Sequence, residues 1–264
     1  MNQSVRRVCA LSGVGVVVLF FLGFWAVAGF IPPPAPTSSA DVVAALFREH
    51  HDRIRVGLLI ATVAAALLVP WSAEMALQLR RIEGARPVLS LTQFGLGAIL
   101  ALEFIYLIFF WLVAAYRPDR DPGQIQTLND MAWIPFVGLV STGVLQALVI
   151  GAAILRDGDR APVFPRWAGY ANIWIALLYV PGALNVFFQT GPFAWNGLLA
   201  FYLVLVAFTV WMLLNSYLLL GAIRTDRPEA RAELAWSGGG GPDLGTLVAE
   251  LAEVKAALAR LEPS

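Results

Sequence analysis

Two carboxylates lie inside long apolar runs of this 264-residue chain, and they are the residues best placed to do chemistry. Glu103 falls near the middle of a run from Leu89 to Ala115, and Glu74 lies close to the end of a run from Gly57 to Leu79. A charged group at the centre of a bilayer costs at least ~3 kcal/mol. No Arg, Lys or His occupies the interior of any run, so Glu103 has no cation to hold it ionised and is expected to be protonated, hydrogen-bonded or facing water. A neutral acid there is a hydrogen-bond donor that could release and regain a proton. Tyr106, one turn on, is its expected local partner. Glu74 is within reach of Arg80 and Arg81 and reads as structural. Amides add to the set. Gln146 adjoins a Gly143-xxx-Ala147-xxx-Gly151 stripe, the small-residue pattern that lets two helices approach closely. Leu178, Pro181, Gly182, Asn185 and Gln189 share one helical stripe, and Pro181 cannot donate to the Leu177 carbonyl, so a kink at Pro181 and Gly182 is expected. Asn215 and Ser216 form a further polar step. Glu103, Gln146, Asn185, Gln189 and Asn215 would together line a pathway; hydrogen bonding between helices is the commoner use of such amides.

Other chemistries find little support. His50 and His51 stand beside Glu49 and Asp52, but adjacent helical positions diverge by about 100° and the i, i+4 histidine pair of a metal site is absent. We therefore expect no metal and no cofactor. The single cysteine, Cys9, excludes an intrachain disulfide and a Cys-x-x-Cys pair. Gly-x-Ser-x-Gly, His-Glu-x-x-His and phosphate-loop motifs are missing, so nothing nominates an enzyme. Lys+Arg and Asp+Glu both total 18, and only Lys255 is lysine, which sets nucleic acid aside as a partner.

The elements that must position these residues are apolar helices. The chain is 59% hydrophobic and 14% charged, with mean hydropathy +0.72, more than one soluble core requires. Six runs meet the ~20 residues that a membrane-crossing helix needs. They are Val8 to Phe30, Gly57 to Leu79, Leu89 to Ala115, Met131 to Leu155, Ala168 to Thr190 and Leu198 to Ala222. Without period-2 alternation between them, the expected fold is an all-α, polytopic six-helix transmembrane bundle. If the N-terminus is cytoplasmic, thirteen cations lie on that side: Arg6, Arg7, Arg80, Arg81, Arg86, Arg156, Arg160, Arg166, Arg224, Arg227, Arg231, Lys255 and Arg260. Five lie opposite, namely Arg48, Arg53, Arg55, Arg117 and Arg120. The positive-inside rule then places both termini in the cytoplasm of a bacterial inner-membrane protein. Trp133, Trp167, Tyr170, Phe193, Trp195 and Tyr116 end their runs and read as interfacial anchors. The first run follows Arg6-Arg7, but its length and bulky Phe24, Trp25 and Phe30 favour an uncleaved anchor over a signal peptide.

Between the first two runs, Pro32-Pro33-Pro34 is a stiff spacer and Ser38-x-x-Asp41 a helix start. Val42, Val43, Leu46, Phe47, His50 and Ile54 follow at helical spacing, which predicts an amphipathic helix on the outer surface. The loop 117–122, stiffened by Pro118 and Pro122, is expected to pair with charges of this first loop. At the other end of the chain, 225–242 is a polar linker with four consecutive glycines from Gly238. Beyond it Leu244, Leu247, Leu251, Val254, Leu258 and Leu261 are spaced 3, 4, 3, 4, 3 within 243–262. That spacing is a heptad seam, with Asp243 to cap it and Glu250 and Lys255 at attractive g and e positions. It predicts a coiled-coil helix through which the 1–224 transmembrane domain assembles as a homo-oligomer, with an amphipathic helix lying on the membrane as the other reading.

Phe-Pro-Arg-Trp-Ala-Gly-Tyr at Phe164 to Tyr170, Gly-Pro-Phe-Ala-Trp-Asn-Gly at Gly191 to Gly197 and Gly-Phe-Ile-Pro-Pro-Pro at Gly29 to Pro34 give the chain its only family likeness. From Arg6 to about Arg224 it resembles uncharacterised six-span integral membrane proteins of high-GC bacteria. The resemblance implies a topology and carries over no functional residue. Three functions remain open: an oligomeric channel or carrier for a small molecule or ion, built around Glu103; a non-transporting scaffold or accessory subunit whose tail docks a partner; and an enzyme acting on lipid-like substrates. Membrane lipids are partners in each.

Overall fold

Runs of this length and apolarity leave the backbone no hydrogen-bond partner in hydrocarbon except itself, and helices result. The computed structural model describes residues 3–159 and 162–226, and its elements are all helical. Residues up to Ile223 form one compact unit; Arg224 opens a second, of which 224–226 are described. The linker beyond Asp226 and the heptad seam therefore lie outside the described residues.

Among the described residues, six helices are long and apolar enough to cross a membrane. The first is α1 (Gln3–Phe20), which widens into a π-helical turn over Phe21–Val27. Its Gly23 crosses Gly57 of the second span at backbone contact: a Cβ on Gly23 would sit 2.8 Å from Ala61 N, and one on Gly57 2.5 Å from Ala28 N. Only glycine permits that approach, which is how helices gain contact in lipid, where no hydrophobic force presses them together.

The second span is α2 (Ala40–Ala66) and α3 (Leu68–Glu83), joined at Leu67. Its 44 residues reach about 66 Å, roughly twice the ~30 Å hydrocarbon layer. The amphipathic segment expected to lie on the surface is instead the first half of this span. His50 kinks it (φ −123°, ψ 16°) but does not end it. Val43, Phe47 and Ile54 are fully buried, so the apolar stripe faces the bundle rather than a membrane surface.

Then follow α4 (Val88–Tyr116), α5 (Pro122–Gly138), α6 (Ser141–Arg156), α7 (Arg166–Tyr179) and α8 (Leu203–Thr225). Glu83 caps the start of α4 by accepting from the backbone N–H of Leu89 at 2.8 Å and of Ser90 at 2.7 Å. Asp121 does the same for α5, accepting from Gly123 N and Gln124 N. The fourth span is thus two helices starting at Pro122, not one run from Met131. Pro135 cannot donate to the Met131 carbonyl, and three residues later the chain turns: Val140 N–H bonds back to Gly138 O at 2.9 Å. The fifth span changes type at Val180, continuing as a 3₁₀-helix to Phe187. A π-helical turn, Leu198–Tyr202, leads into α8.

Two apolar clusters form the interior. At the end carrying Arg6, Arg80 and Arg156, the core gathers Trp71, Met75, Ile150, Ile154 and Trp211; at the opposite end it gathers Phe24, Phe30, Phe47, Trp111 and Trp133. Trp111 and Trp133 meet edge to face at 4.9 Å, a geometry that adds to burial. Trp133 is therefore a core residue, as is Trp195, whose Nε1–H donates to Pro34 O at 2.8 Å; neither anchors at an interface. The arginines of the opposite end cap helix termini. Arg55 donates to the Ala115 and Tyr116 carbonyls that end α4, and Arg53 to Val27 O. Arg48 reaches the 117–120 loop, where it takes the Pro118 and Arg120 carbonyls rather than a carboxylate.

Candidate functional site

All six spans contribute to a cavity of about 100 Å³ between the two core clusters. Its wall includes Val16 and Phe20 of the first span, Ala61, Ala64 and Ala65 of the second, and Leu100, Phe104 and Ile108 of the third. The fourth span gives Phe136 to Gly143 around its break, the fifth gives Tyr179, and the sixth gives Ala200, Val204, Phe208 and Trp211. The break matters locally. Because Val140 N–H turns back to Gly138 O, the helical bond to the Phe136 carbonyl is replaced just where the chain meets the cavity. Small residues on the second span and Gly143 on the fourth leave the volume open, and branched aliphatic side chains and phenyl rings line most of the rest.

Only two side chains on this wall carry polar atoms, Tyr179 and Trp211. Trp211 Nε1–H donates to Asn172 Oδ1 at 2.7 Å. Asn172 and Asn215 exchange amide bonds at 3.3 Å in each direction, and Asn215 also donates to Trp211 O, so this group is satisfied. Tyr179 differs. It is 3% exposed, Trp211 packs against its ring at 6.4 Å, and its hydroxyl has no hydrogen-bond partner. A buried unpaired hydroxyl costs about 1–3 kcal/mol; this one has essentially no accessible surface, so it is the ring of Tyr179 and not its hydroxyl that lines the cavity.

The residues singled out in the sequence do not converge. Glu103 is half-buried at the seam of α4 and α6, where it accepts from Thr142 Oγ1 at 2.6 Å, and it is not on the cavity wall. Tyr106 is 61% exposed and turned away. Glu74 is paired with Arg6, not with Arg80 or Arg81. Arg6 Nη2 donates to Oε1 at 2.8 Å, and Gln78 Nε2 donates to the same oxygen at 2.7 Å. Gln78 in turn accepts from Arg81, which reaches Ala222 O, so this chain of bonds ties the first, second and sixth spans. Gln146 is fully buried, with its Nε2 3.4 Å from Ser72 Oγ and from Gln93 O; Gln146 Oε1 and both side-chain polar atoms of Gln93 have no partner. Asn185 donates to Ile134 O at 3.0 Å beside the fourth-span break, where Gly138 and Gly182 let the 3₁₀-helix come close. Pro181 opens that 3₁₀-helix. Gln189 lies beyond it, exposed, in a bend of the chain. Sequence reading passed over Arg6, Ser72, Gln93, Thr142, Asn172 and Tyr179. Gln93 and Asn172 were visible as polar residues within apolar runs, but nothing in their spacing shows that one is paired and the other not.

Comparison with protein-family models, with curated protein sequences and with solved structures finds no match to this chain.

Proposed function

We infer that the protein is an integral protein of a bacterial inner membrane, with both termini cytoplasmic, that holds a small lipophilic molecule in the chamber between its spans, as a carrier or receptor. The observation that carries this reading is the chamber itself. It is built by all six spans, walled by small aliphatic residues and phenyl rings, and set at a break in a helix. A concave, mostly apolar site is the usual form of a small-molecule pocket, and broken helices near the midplane mark binding sites in transporters. Within this reading Glu103 is a strut, hydrogen-bonded to Thr142, that fixes α4 against α6.

The direct test is native mass spectrometry of the protein extracted in mild detergent. A retained apolar molecule at one per chain is expected, and it should be lost in Gly143→Leu. A Cβ at Gly143 meets Tyr179 Cε2 and Cδ2 at ordinary contact distances of 3.5 and 3.6 Å, so the backbone tolerates it while the rest of leucine enters the chamber. A protein that carries nothing in either form counts against the reading. A second reading, a non-transporting scaffold, is favoured by one observation: the Asn172–Asn215 and Arg6–Glu74 pairs join different spans and act as interhelical glue. An empty chamber in both variants would favour it.

A further inference from the structure

Where α3 turns into α4, the chain and the end of α6 enclose an open groove lined by Ile82, Glu83, Arg86, Ala153 and Arg156. It shares no residue with the chamber. Gly84, at φ 67°, turns the chain out of α3, and Arg86 stands in the short link that follows. Arg156 comes from the last turn of α6. Both guanidinium groups are exposed, and neither makes a hydrogen bond or an ion pair with a described residue. The carboxylate between them is already engaged. Glu83 Oε1 accepts from Leu89 N–H, and its Oε2 accepts from Ser90 N–H and from the Ser90 hydroxyl, so both oxygens serve the start of α4. Two cations thus face one carboxylate whose acceptors are taken, and their N–H groups are open to an anion. The rest of the wall is apolar: Ala153 belongs to the core cluster at this end and Ile82 packs against it. The groove also lies at the ends of membrane-crossing helices, the level at which phospholipid headgroups meet water. We propose that it is a headgroup site for an anionic phospholipid, with the lipid phosphate held between Arg86 and Arg156. The planar fork of arginine matches the oxygens of a phosphate in pairs, and basic pockets between membrane helices take anionic headgroups. A soluble anion would use the arginines alone; a lipid uses them and the apolar wall that Ile82 and Ala153 supply.

The test is native mass spectrometry of the full-length protein in mild detergent, titrated with dioleoyl phosphatidylglycerol or with dioleoyl phosphatidylcholine, reading the affinity of the first lipid bound. A basic residue at an anionic bilayer surface is worth about a factor of five, so two arginines facing one carboxylate should favour phosphatidylglycerol by about tenfold. Arg86→Gln combined with Arg156→Gln breaks no bond between described residues and should bring the two lipids within about twofold of each other. Arg7→Gln combined with Arg80→Gln removes the same charge from exposed positions at the same end but outside the groove, and should leave the preference as it is in the wild type. Equal affinity for the two lipids in the wild type overturns the proposal. So does a preference that survives loss of Arg86 and Arg156, or one that loss of Arg7 and Arg80 removes as fully, since either means that the basic end as a whole attracts the lipid. Millimolar inorganic phosphate should leave phosphatidylglycerol bound; if it displaces the lipid, the groove is a site for soluble phosphate and the lipid assignment is wrong.

Discussion

Gln93 and Asn172 are both fully buried amides in apolar helices, yet removing them should have opposite consequences. Asn172→Leu leaves Trp211 Nε1–H and Asn215 Oδ1 without partners and should lower stability by about 1–3 kcal/mol. Gln93→Met removes two unpartnered polar atoms at nearly constant shape and should be neutral or stabilising by about 1 kcal/mol. Thermal unfolding of the two variants in one detergent decides the point; equal losses would mean that the unpartnered atoms of Gln93 are in fact satisfied. Arg6→Gln should be the most damaging of the polar changes, by roughly 3–5 kcal/mol, because it strands a carboxylate that is 1% exposed. Glu103→Gln keeps an acceptor for Thr142 Oγ1 and should cost under about 0.5 kcal/mol. A large loss in Glu103→Gln would restore that residue to proton chemistry. The span carboxylates were legible in the sequence as exceptional, because charge inside an apolar run needs no alignment to see. Their partners were not, since Arg6 and Glu74 are 68 positions apart and meet only once two helices pack.

At the scale of elements, the six spans follow directly from hydrophobic length, whereas their interruptions do not. Leu139 and Val140 break the fourth span but are as apolar as their neighbours, so a window of hydropathy passes over them. Pro135 was the available signal, and it lies in a run that composition alone reads as continuous. The amphipathic stripe from Val42 to Ile54 was legible, but its partner was not: the same stripe can lie on a membrane or pack into a bundle, and burial of Phe47 against the aromatic cluster selects the second. Glycine positions separate crossing points from open surface. Gly57→Val places a Cβ against the backbone of the first span and should lower the aggregation temperature of the solubilised protein by many degrees. Gly95→Ala, with nothing within 4 Å of the new Cβ, should leave it unchanged or raise it slightly. Similar melting of the two variants would show that the first and second spans do not cross at Gly23 and Gly57.

For the whole molecule, topology is the first expectation to check. Reporter fusions after Pro34, Pro122 and Trp195 should read outside, and fusions after Arg86, Arg160 and Ser264 should read cytoplasm; a swap at any of the six overturns the orientation drawn from the arginine count. The heptad spacing from Leu244 to Leu261 predicts that deleting 238–264 lowers the order or stability of a homo-oligomer, and an unchanged mass of the assembly would leave that seam no part in it. The central claim, a binding chamber shared by six spans, is tested most directly by photolabelling the protein in its native membrane with an apolar diazirine probe and mapping every modified residue. The account predicts saturable labelling of Phe136, Val140, Tyr179 and Trp211 that Gly143→Leu abolishes, over a non-saturable background on exposed residues such as Leu102, Tyr106 and Tyr217. Labelling confined to those exposed residues, and unchanged in Gly143→Leu, would contradict it.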